Sequence, residues 1–443
     1  MGLDSSVELN AVSALPVLSA AAALAGAQHY LAQGQGLAAV QMLQTALEHA
    51  PNDIELLLGL GVAWRFVGQI ESAATAFLRC LSLDAQRADA QVYLGMIRLA
   101  QNDQQQGWPL YQARWRAPYW TEKLRYPAPA LWKGQVSSGM RLLLWAEQGF
   151  GDALQFVRYA PWLLALLRTQ GASLSLEVPA NLLVLVRTTW PFMDIAATGE
   201  IQGRFDAHLP LMDLPHLWGG LGAGHLPYQA MPVPYLSALP DPLPTQRGAL
   251  APQWRAVEAK PLHVGRVGIV WQGRFSHPDD YWRSINPRLL DPLFAVPGVR
   301  WVSLQKQDAL SPLQQAKGAY PDWLPDDLAQ CQNFSDSASI VNDLDLVISI
   351  DSAMAHLAGA LGRPVWLLLP KITDWRWQLS DSVAAQSGNE QAQEITPWYP
   401  SMRLFRQIDS DASWSPLIAR VAAALTHWCA RRAQKIKNGL GDG

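Results

Sequence analysis

Displaced by 34 residues, the first hundred residues of this chain match themselves. Ala27, Gly61 and Gly95 share the step. So do Leu60 and Leu94, Tyr30 and Trp64, Ala39 and Ala73, and Gly34 and Gly68. Such a period means stacked supersecondary units, none of which buries its apolar face alone. Small residues at Gly61 and Ala73 let two helices of a hairpin approach. Leu60, Trp64 and Phe77 fill the space between hairpins.

An aromatic three residues after the Gly, with Pro51 closing the first unit, is the tetratricopeptide spacing. Two good repeats cover about 20–53 and 54–87. A third, about 88–118, decays, with Arg98 where the aromatic belongs. About three units are needed for a continuous core, so the last is expected to dock on the domain that follows. A concave groove for a protein or peptide and a structural spacer both remain open. Residues 107–140, with Trp108, Trp115, Trp120 and Trp132 among prolines, are expected to form a stiff packed bridge rather than a loose linker.

Composition narrows the classes. Half of the 443 residues are apolar, which excludes a disordered chain. A net charge of −3 gives no global reason to bind nucleic acid or an anionic membrane. Cys80, Cys331 and Cys429 are odd in number and far apart, which fits a reducing compartment. No apolar run reaches the ~18 residues of a membrane span. No basic stretch precedes the Ala-rich segment 20–27, so no signal peptide is expected, and the reading is cytoplasmic. Of 20 Trp, only Trp64 lies in the first hundred residues, a sign of two kinds of structure.

From Met140 the rhythm is strand and helix in alternation. Short apolar runs at 141–146, 172–177, 207–211, 266–271, 300–304, 345–350 and 364–369 read as strands buried on both faces of parallel sheets. A helical stretch is expected at 153–168. The Pro-rich segment 225–260 reads as the connection between two α/β domains. The expected division is helical repeats over 15–118, α/β domains over 119–250 and 261–428, and a tail over 429–443. Ligands are expected at the carboxyl ends of the strands.

Four segments there carry chemistry. The first is Glu147-Gln148-Gly149-Phe150-Gly151-Asp152, where two glycines permit a sharp turn and close approach. Asp152 is either a helix N-cap or a carboxylate able to take a proton from an acceptor hydroxyl. The second is Asp351-Ser352-Ala353-Met354-Ala355-His356. Its helix N-terminus suits a phosphate, while His356 alternatively packs as a satisfied core residue. The third combines Gln272, Arg283, Gln305 and Lys306 at strand ends. The two cations suit a diphosphate or are plain surface charges. The fourth, Asp374-Trp375-Arg376-Trp377, with Trp398 and Tyr399, suits stacking on a sugar or base, or forms a Trp-rich core. Asp343-Leu344-Asp345 is not read as a metal motif, because Asp345 opens a buried strand. No cluster has metal-ligand spacing.

The stretches 141–161, 345–370, 374–377 and 397–407 together resemble bacterial tetratricopeptide-repeat glycosyltransferases. These are similar to glycosyltransferase family nine, the ADP-heptose:lipopolysaccharide heptosyltransferases. The resemblance implies tetratricopeptide repeats followed by a GT-B fold, two Rossmann-like domains facing a cleft. It implies inverting, metal-independent transfer from a nucleotide-sugar donor, with no other cofactor. Gly151-Asp152 matches the family's Gly-Asp pair, which makes Asp152 the catalytic base. Gly149 and Gly151 belong to the same donor-side loop.

Asp351, Ser352, Met354 and His356 match the family's phosphate-holding segment, with Ala353 in place of its Gly. The family's phosphate-binding Lys has no clear counterpart, and Arg283 is the best substitute. Residues 383–396 form a polar insertion on the acceptor side. The implied acceptor is a protein or glycan recruited by the repeats. A non-catalytic scaffold carrying a nucleotide-sugar module is the main alternative, and an epimerase a lesser one.

Overall fold

Helix starts recur through the N-terminal part at a fixed interval. In the computed structural model, α1 (Ala20–Ala32), α3 (Ile54–Phe66) and α5 (Ala88–Ala100) begin 34 residues apart. So do α2 (Gly36–His49), α4 (Ile70–Leu83) and α6 (Gln104–Tyr111). The structure describes residues 19–120, 124–126, 129–147, 149–221, 232–239, 264–274, 280–306, 324, 327–379, 395–408 and 413–438. Gln148, most of the Pro-rich connection 225–260 and all but the last two residues of the insertion 383–396 lie outside the described residues.

Each turn inside a hairpin reverses at a left-handed residue: Gly34 (φ 76°), Gly68 (φ 78°) and Asn102 (φ 63°). Gly takes this conformation without penalty, and Asn is among the few other residues that enter it readily. Ser19 caps α1 through Ala22 N–H, and Asp53 caps α3 through Leu56 N–H. α1 packs on α2 and α3, and α3 on α4. The shared core includes Ala27, Ala39, Leu43, Leu56, Ala73 and Phe77.

A Cβ on Gly61 would lie 2.5 Å from the Phe77 ring. Gly61→Ala is therefore expected to destabilise the helical part by about 1–3 kcal/mol. Urea unfolding followed by circular dichroism measures this, and an unchanged midpoint would mean that Phe77 simply swings aside.

The chain forms two compact bodies. Met1–Arg98 with Leu110–Trp120 makes the helical one, and Leu99–Pro109 with Thr121–Gly443 makes the other. The expected boundary near 118 is thus more finely cut, because the loop that joins α5 to α6 packs with the α/β part.

That second body holds two all-parallel sheets. The first comprises β1 (Arg141–Trp145), β2 (Ser173–Val178), β3 (Asp194–Ala197) and β4 (Ala207–Pro210) in the order β3-β2-β1-β4. The second comprises β5 (Gly265–Val270), β6 (Val299–Ser303), β7 (Leu346–Ile350), β8 (Val365–Leu369) and β9 (Met402–Arg406) in the order β6-β5-β7-β8-β9. Leu144 of β1 sits beside Leu176 and Leu209, and Ile269 of β5 beside Ser303 and Ile348. Strands covered on both faces need continuous apolar runs, and β7 and β8 are buried throughout.

Strand order reverses between β1 and β4 and again between β5 and β7. Open parallel sheets bind ligands at such reversals, outside the strands' carboxyl ends.

Two expectations change. The helix expected over 153–168 is broken into α7 (Phe150–Phe156), a 3-10 turn and α8 (Ala160–Thr169), with Pro161 in the first turn of α8. The boundary expected at 428 falls inside a single helix, α12 (Ser415–Lys437). Past that boundary Cys429 is buried, and Arg432 bonds Val264 O and Asp345. Of the bridge, Trp132 is buried with its backbone N–H on His208 O of β4. The cysteines are free and buried. No described helix is long and apolar enough to cross a membrane.

Candidate functional site at the carboxyl ends of β1, β5 and β7

The loops after β1, β5 and β7, the strands flanking the two reversals, carry most of the sequence-derived candidates. After β1, the N-cap of α7 is Gly149, so Asp152 lies in the first turn and is not the cap. The capping alternative for Asp152 is therefore removed. Gly151 is required by close approach: a Cβ there would lie 3.0 Å from His356 Cδ2 and 3.8 Å from Ala353 Cα. The start of α7 thus touches the start of α11 (Ala353–Ala360), the helix that follows β7.

Ser352 caps α11, its Oγ accepting from Ala355 N–H and meeting Ser349 Oγ at 3.0 Å. The peptide N–H groups of Ala353 and Met354 meet no acceptor among the described residues. Asp351 to Met354 are partly accessible, whereas Ala355 onward is buried. Two unclaimed N–H groups at the positive end of a helix form an anion seat.

His356 is buried one turn in. Its ring stacks on Trp377 at 5.3 Å, and Nδ1 meets Tyr399 Oη at 2.9 Å. Burial, helped by the charges of Arg376 and Arg158, pushes its pKa down to about 3 and keeps the ring neutral. Asp351 Oδ1 lies 3.8 Å from His356 Nε2. Burial and the negative charge of Asp374 raise the Asp351 carboxyl to about 6, against the opposing pull of Arg283 and Arg376.

At the end of β5, Gln272 is 4% exposed, and its side-chain Oε1 has no hydrogen-bond partner among the described residues. A buried acceptor without a partner at the carboxyl end of a central strand can take a hydrogen bond from a ligand hydroxyl or amide. Arg283 lies across Gly273, where a Cβ would be 2.6 Å from its guanidinium, and pairs with Asp280 at 3.4 Å. Its positive charge lowers the pKa of both Asp351 and His356.

Gln305 is occupied differently from the sequence expectation. Its Oε1 accepts from the backbone N–H of Trp271 and Gln272 at 3.3 and 3.0 Å, which ties β6 to β5. Lys306 is exposed at the end of β6.

The fourth segment also differs. Trp271, Trp375, Trp377 and Trp398 are all under 5% exposed, so they form core rather than an open stacking surface. Trp375 packs edge-on against Trp108 at 5.2 Å, and Phe156 lies beside Trp398 at 5.9 Å. Arg376 is equally occupied. Its guanidinium donates to Asp152 Oδ1, to Asp374 Oδ1 at 2.9 Å and to Gln155 Oε1 at 2.9 Å.

Three residues absent from the sequence reading of the site, Gln155, Arg158 and Tyr235, complete it together with Tyr399 of the fourth segment. Arg158, 1% exposed, donates to Gln155 O, Trp398 O and Tyr235 Oη, and lies over the rings of Tyr235 and Tyr399. Tyr235 Oη donates to Leu154 O and lies 3.4 Å from Tyr399 Oη. A polar chain thus runs from α7 through Arg158, Tyr235 and Tyr399 to His356. Gln155 joins it through Arg376.

Asp345 is engaged by Arg266 N–H and Arg432, as fits a structural carboxylate. Among the described residues no three His, Cys, Asp or Glu side chains converge as metal ligands.

No family model matches the chain. It is 28% identical over 414 residues to Protein FlbA of Caulobacter vibrioides, covering 90% of this chain and 65% of that protein. The chain therefore spans less than two thirds of this relative's length. Among solved structures it is similar to Escherichia coli ADP-heptose lps heptosyltransferase II, at 16% identity and a TM-score of 0.39. That match covers 66% of this chain and all of the other. An O-GlcNAc transferase of Thermobaculum terrenum matches 95% of this chain and 92% of its own at 14% identity and a TM-score of 0.27. A glycosyl transferase family 9 structure from Veillonella parvula matches 66% and 91% at 9% identity and a TM-score of 0.37.

Proposed function

We propose that the chain is a GT-B glycosyltransferase with tetratricopeptide repeats. It would transfer a sugar from a nucleoside-diphosphate donor to a protein or glycan acceptor, with inversion and without a metal. The observation that carries this reading is the meeting of α7 and α11. A carboxylate freed from capping stands beside a helix end with two unclaimed N–H groups, at the reversals of two parallel sheets.

In the proposed reaction the acceptor hydroxyl loses its proton to Asp152 as its oxygen bonds to the anomeric carbon. The bond from that carbon to the phosphate oxygen breaks, and the nucleoside diphosphate leaves with the electron pair. The charge developing on it falls on the first turn of α11 and on Arg283. Gln272 Oε1 accepts from a donor hydroxyl or amide, and neutral His356 packs beneath Gly151. The helical body recruits the acceptor.

A thermal-shift panel of ADP-, GDP-, UDP- and dTDP-sugars, followed by a hydrolysis assay on any binder, tests this. One or more donors are expected to raise the melting temperature by mass action and to be slowly cleaved. No shift with any nucleotide sugar would refute the reading. Binding without cleavage or transfer would favour a nucleotide-sugar-binding scaffold instead, a reading supported by Arg376 already occupying Asp152.

A further inference from the structure

We propose that Arg376 is a positioning residue, built into the protein to orient the Asp152 carboxylate and hold it charged, and does not contact the sugar. The inference rests on the reading of Asp152 as the base. Its ground is how completely the turn Trp375–Trp377 is fastened. Asp374 caps it, accepting from both the Arg376 N–H and the Arg376 guanidinium at 2.9 Å. Trp398 Nε1 donates to Arg376 O at 2.9 Å, and Arg406 donates to Trp377 O. The guanidinium carbon lies 4.3 Å above the Trp375 ring, and Nε donates to Gln155 of α7. A donor phosphate reaching Arg376 would have to break this set, whereas Asp152 already completes it.

The residue that ends the turn adds an independent observation. Gln378 has φ 56° and ψ 163°, a region almost reserved for glycine. Such a conformation persists only where its surroundings over-determine it. Here Gln378 Nε2 donates to Asn102 Oδ1 at 2.9 Å, and Leu379 N–H donates to Ala100 O at 2.9 Å. Asn102 stands at the turn position that Gly34 and Gly68 fill in the earlier hairpins. Asparagine keeps that left-handed turn while supplying a side chain that glycine lacks. The two non-glycine residues of positive φ among the described residues therefore hold each other, and together they hold the turn that presents Arg376.

A base misplaced by about 1 Å costs on the order of 10²-fold. Removing a positive charge next to a carboxylate also makes it protonate at higher pH. Besides Arg376, the charged or titratable groups around Asp152 among the described residues include Asp374 on the same turn, Arg158 just beyond α7, and Asp351 and His356 at α11. Arg283 follows β5, Glu147 precedes α7, and Asp213 lies on the turn packed against α7. Of these, Asp351 titrates near the working range, so it must be controlled for.

The test uses the full chain and hydrolysis of the nucleotide sugar that stabilises it most. Arg376→Met is expected to lower kcat by about 10–100-fold, to leave the donor KM unchanged and to move the acid limb of kcat/KM to higher pH, in the Asp351→Asn background as well. Arg376→Lys should restore the limb more than the rate, because ammonium keeps the charge but not the fork. Should Arg376→Met fail to fold, Asn102→Gly serves: it keeps the turn and removes the clasp, with kcat expected to fall severalfold at constant KM.

A raised donor KM in Arg376→Met would overturn the proposal by making Arg376 a donor ligand. Full activity with an unmoved acid limb would overturn it too, while an inactive Asp152→Asn would still uphold the base. An active Asp152→Asn would instead remove the base reading on which the proposal rests.

Discussion

Asp152→Asn is expected to lower sugar transfer by about 10²–10⁴-fold while donor affinity stays unchanged. The substitution isolates proton acceptance better than most. Asparagine is nearly isosteric, and its Oδ1 still accepts from Arg376, so the turn Trp375–Trp377 keeps its partner across from α7. Capping of α7 is also untouched, because Gly149 holds that position. The amide cannot take a proton from an acceptor hydroxyl, which is the function assigned to the carboxylate. Steady-state transfer and donor calorimetry on the same preparation decide it. Retained transfer would dismiss Asp152 as base. Lost donor binding would reassign it to the donor site.

The repeat period and most buried strands were legible because each is a local pattern. Helix starts follow from capping and small-residue spacing, β1, β7 and β8 are apolar runs, and β2 alternates polar residues with leucine. β3 was missed because it is a four-residue strand, Asp194–Ala197, at the sheet edge, with two alanines and little β-forming character. β9 was missed because Met-Arg-Leu-Phe-Arg is an edge strand interrupted by two arginines, and it read as part of an aromatic site.

The site divides in the same way. Gly149, Gly151, Asp351 and Ser352 announce themselves through turn chemistry. Arg158 and Tyr235 do not, because their partners lie far along the chain: Arg158 meets Trp398 across 240 positions. One signal was available. Gln155 and Arg158 are polar residues inside the otherwise apolar run from Ala153 to Ala160, where burial requires partners to be found. The Trp-rich segment misled for the opposite reason. Aromatic rings beside an arginine describe a stacking platform and a packed seam equally well, and only burial separates them.

Asp351→Asn is expected to stabilise the protein by about 2–3 kcal/mol at pH 7.5 while weakening donor binding. The sign follows from the direction of the shift. The folded-state pKa, about 6, lies above the reference value of 3.8, so the fold prefers the protonated form. That contribution to stability is fully present below about pH 3.8 and is lost as pH rises through about 6. Above that the native state carries a largely desolvated carboxylate that feels the charge of Asp374, with neutral His356 as its near neighbour. Asparagine carries no such charge, so the gain appears only on the alkaline side and fades below pH 4.

His356 contributes the opposite limb in both proteins, since its depressed pKa costs stability as pH falls below 6.5, and it cancels in the comparison. Urea unfolding of the two proteins at pH 4 and pH 7.5 measures the difference. Equal gains at both pH values would show that the effect is packing rather than charge. No gain at pH 7.5 would mean that Arg283 and Arg376 already neutralise the carboxylate. A stabilised variant that binds donor less well is the outcome expected of a carboxylate kept at the mouth of α11 for its ligand rather than for the fold.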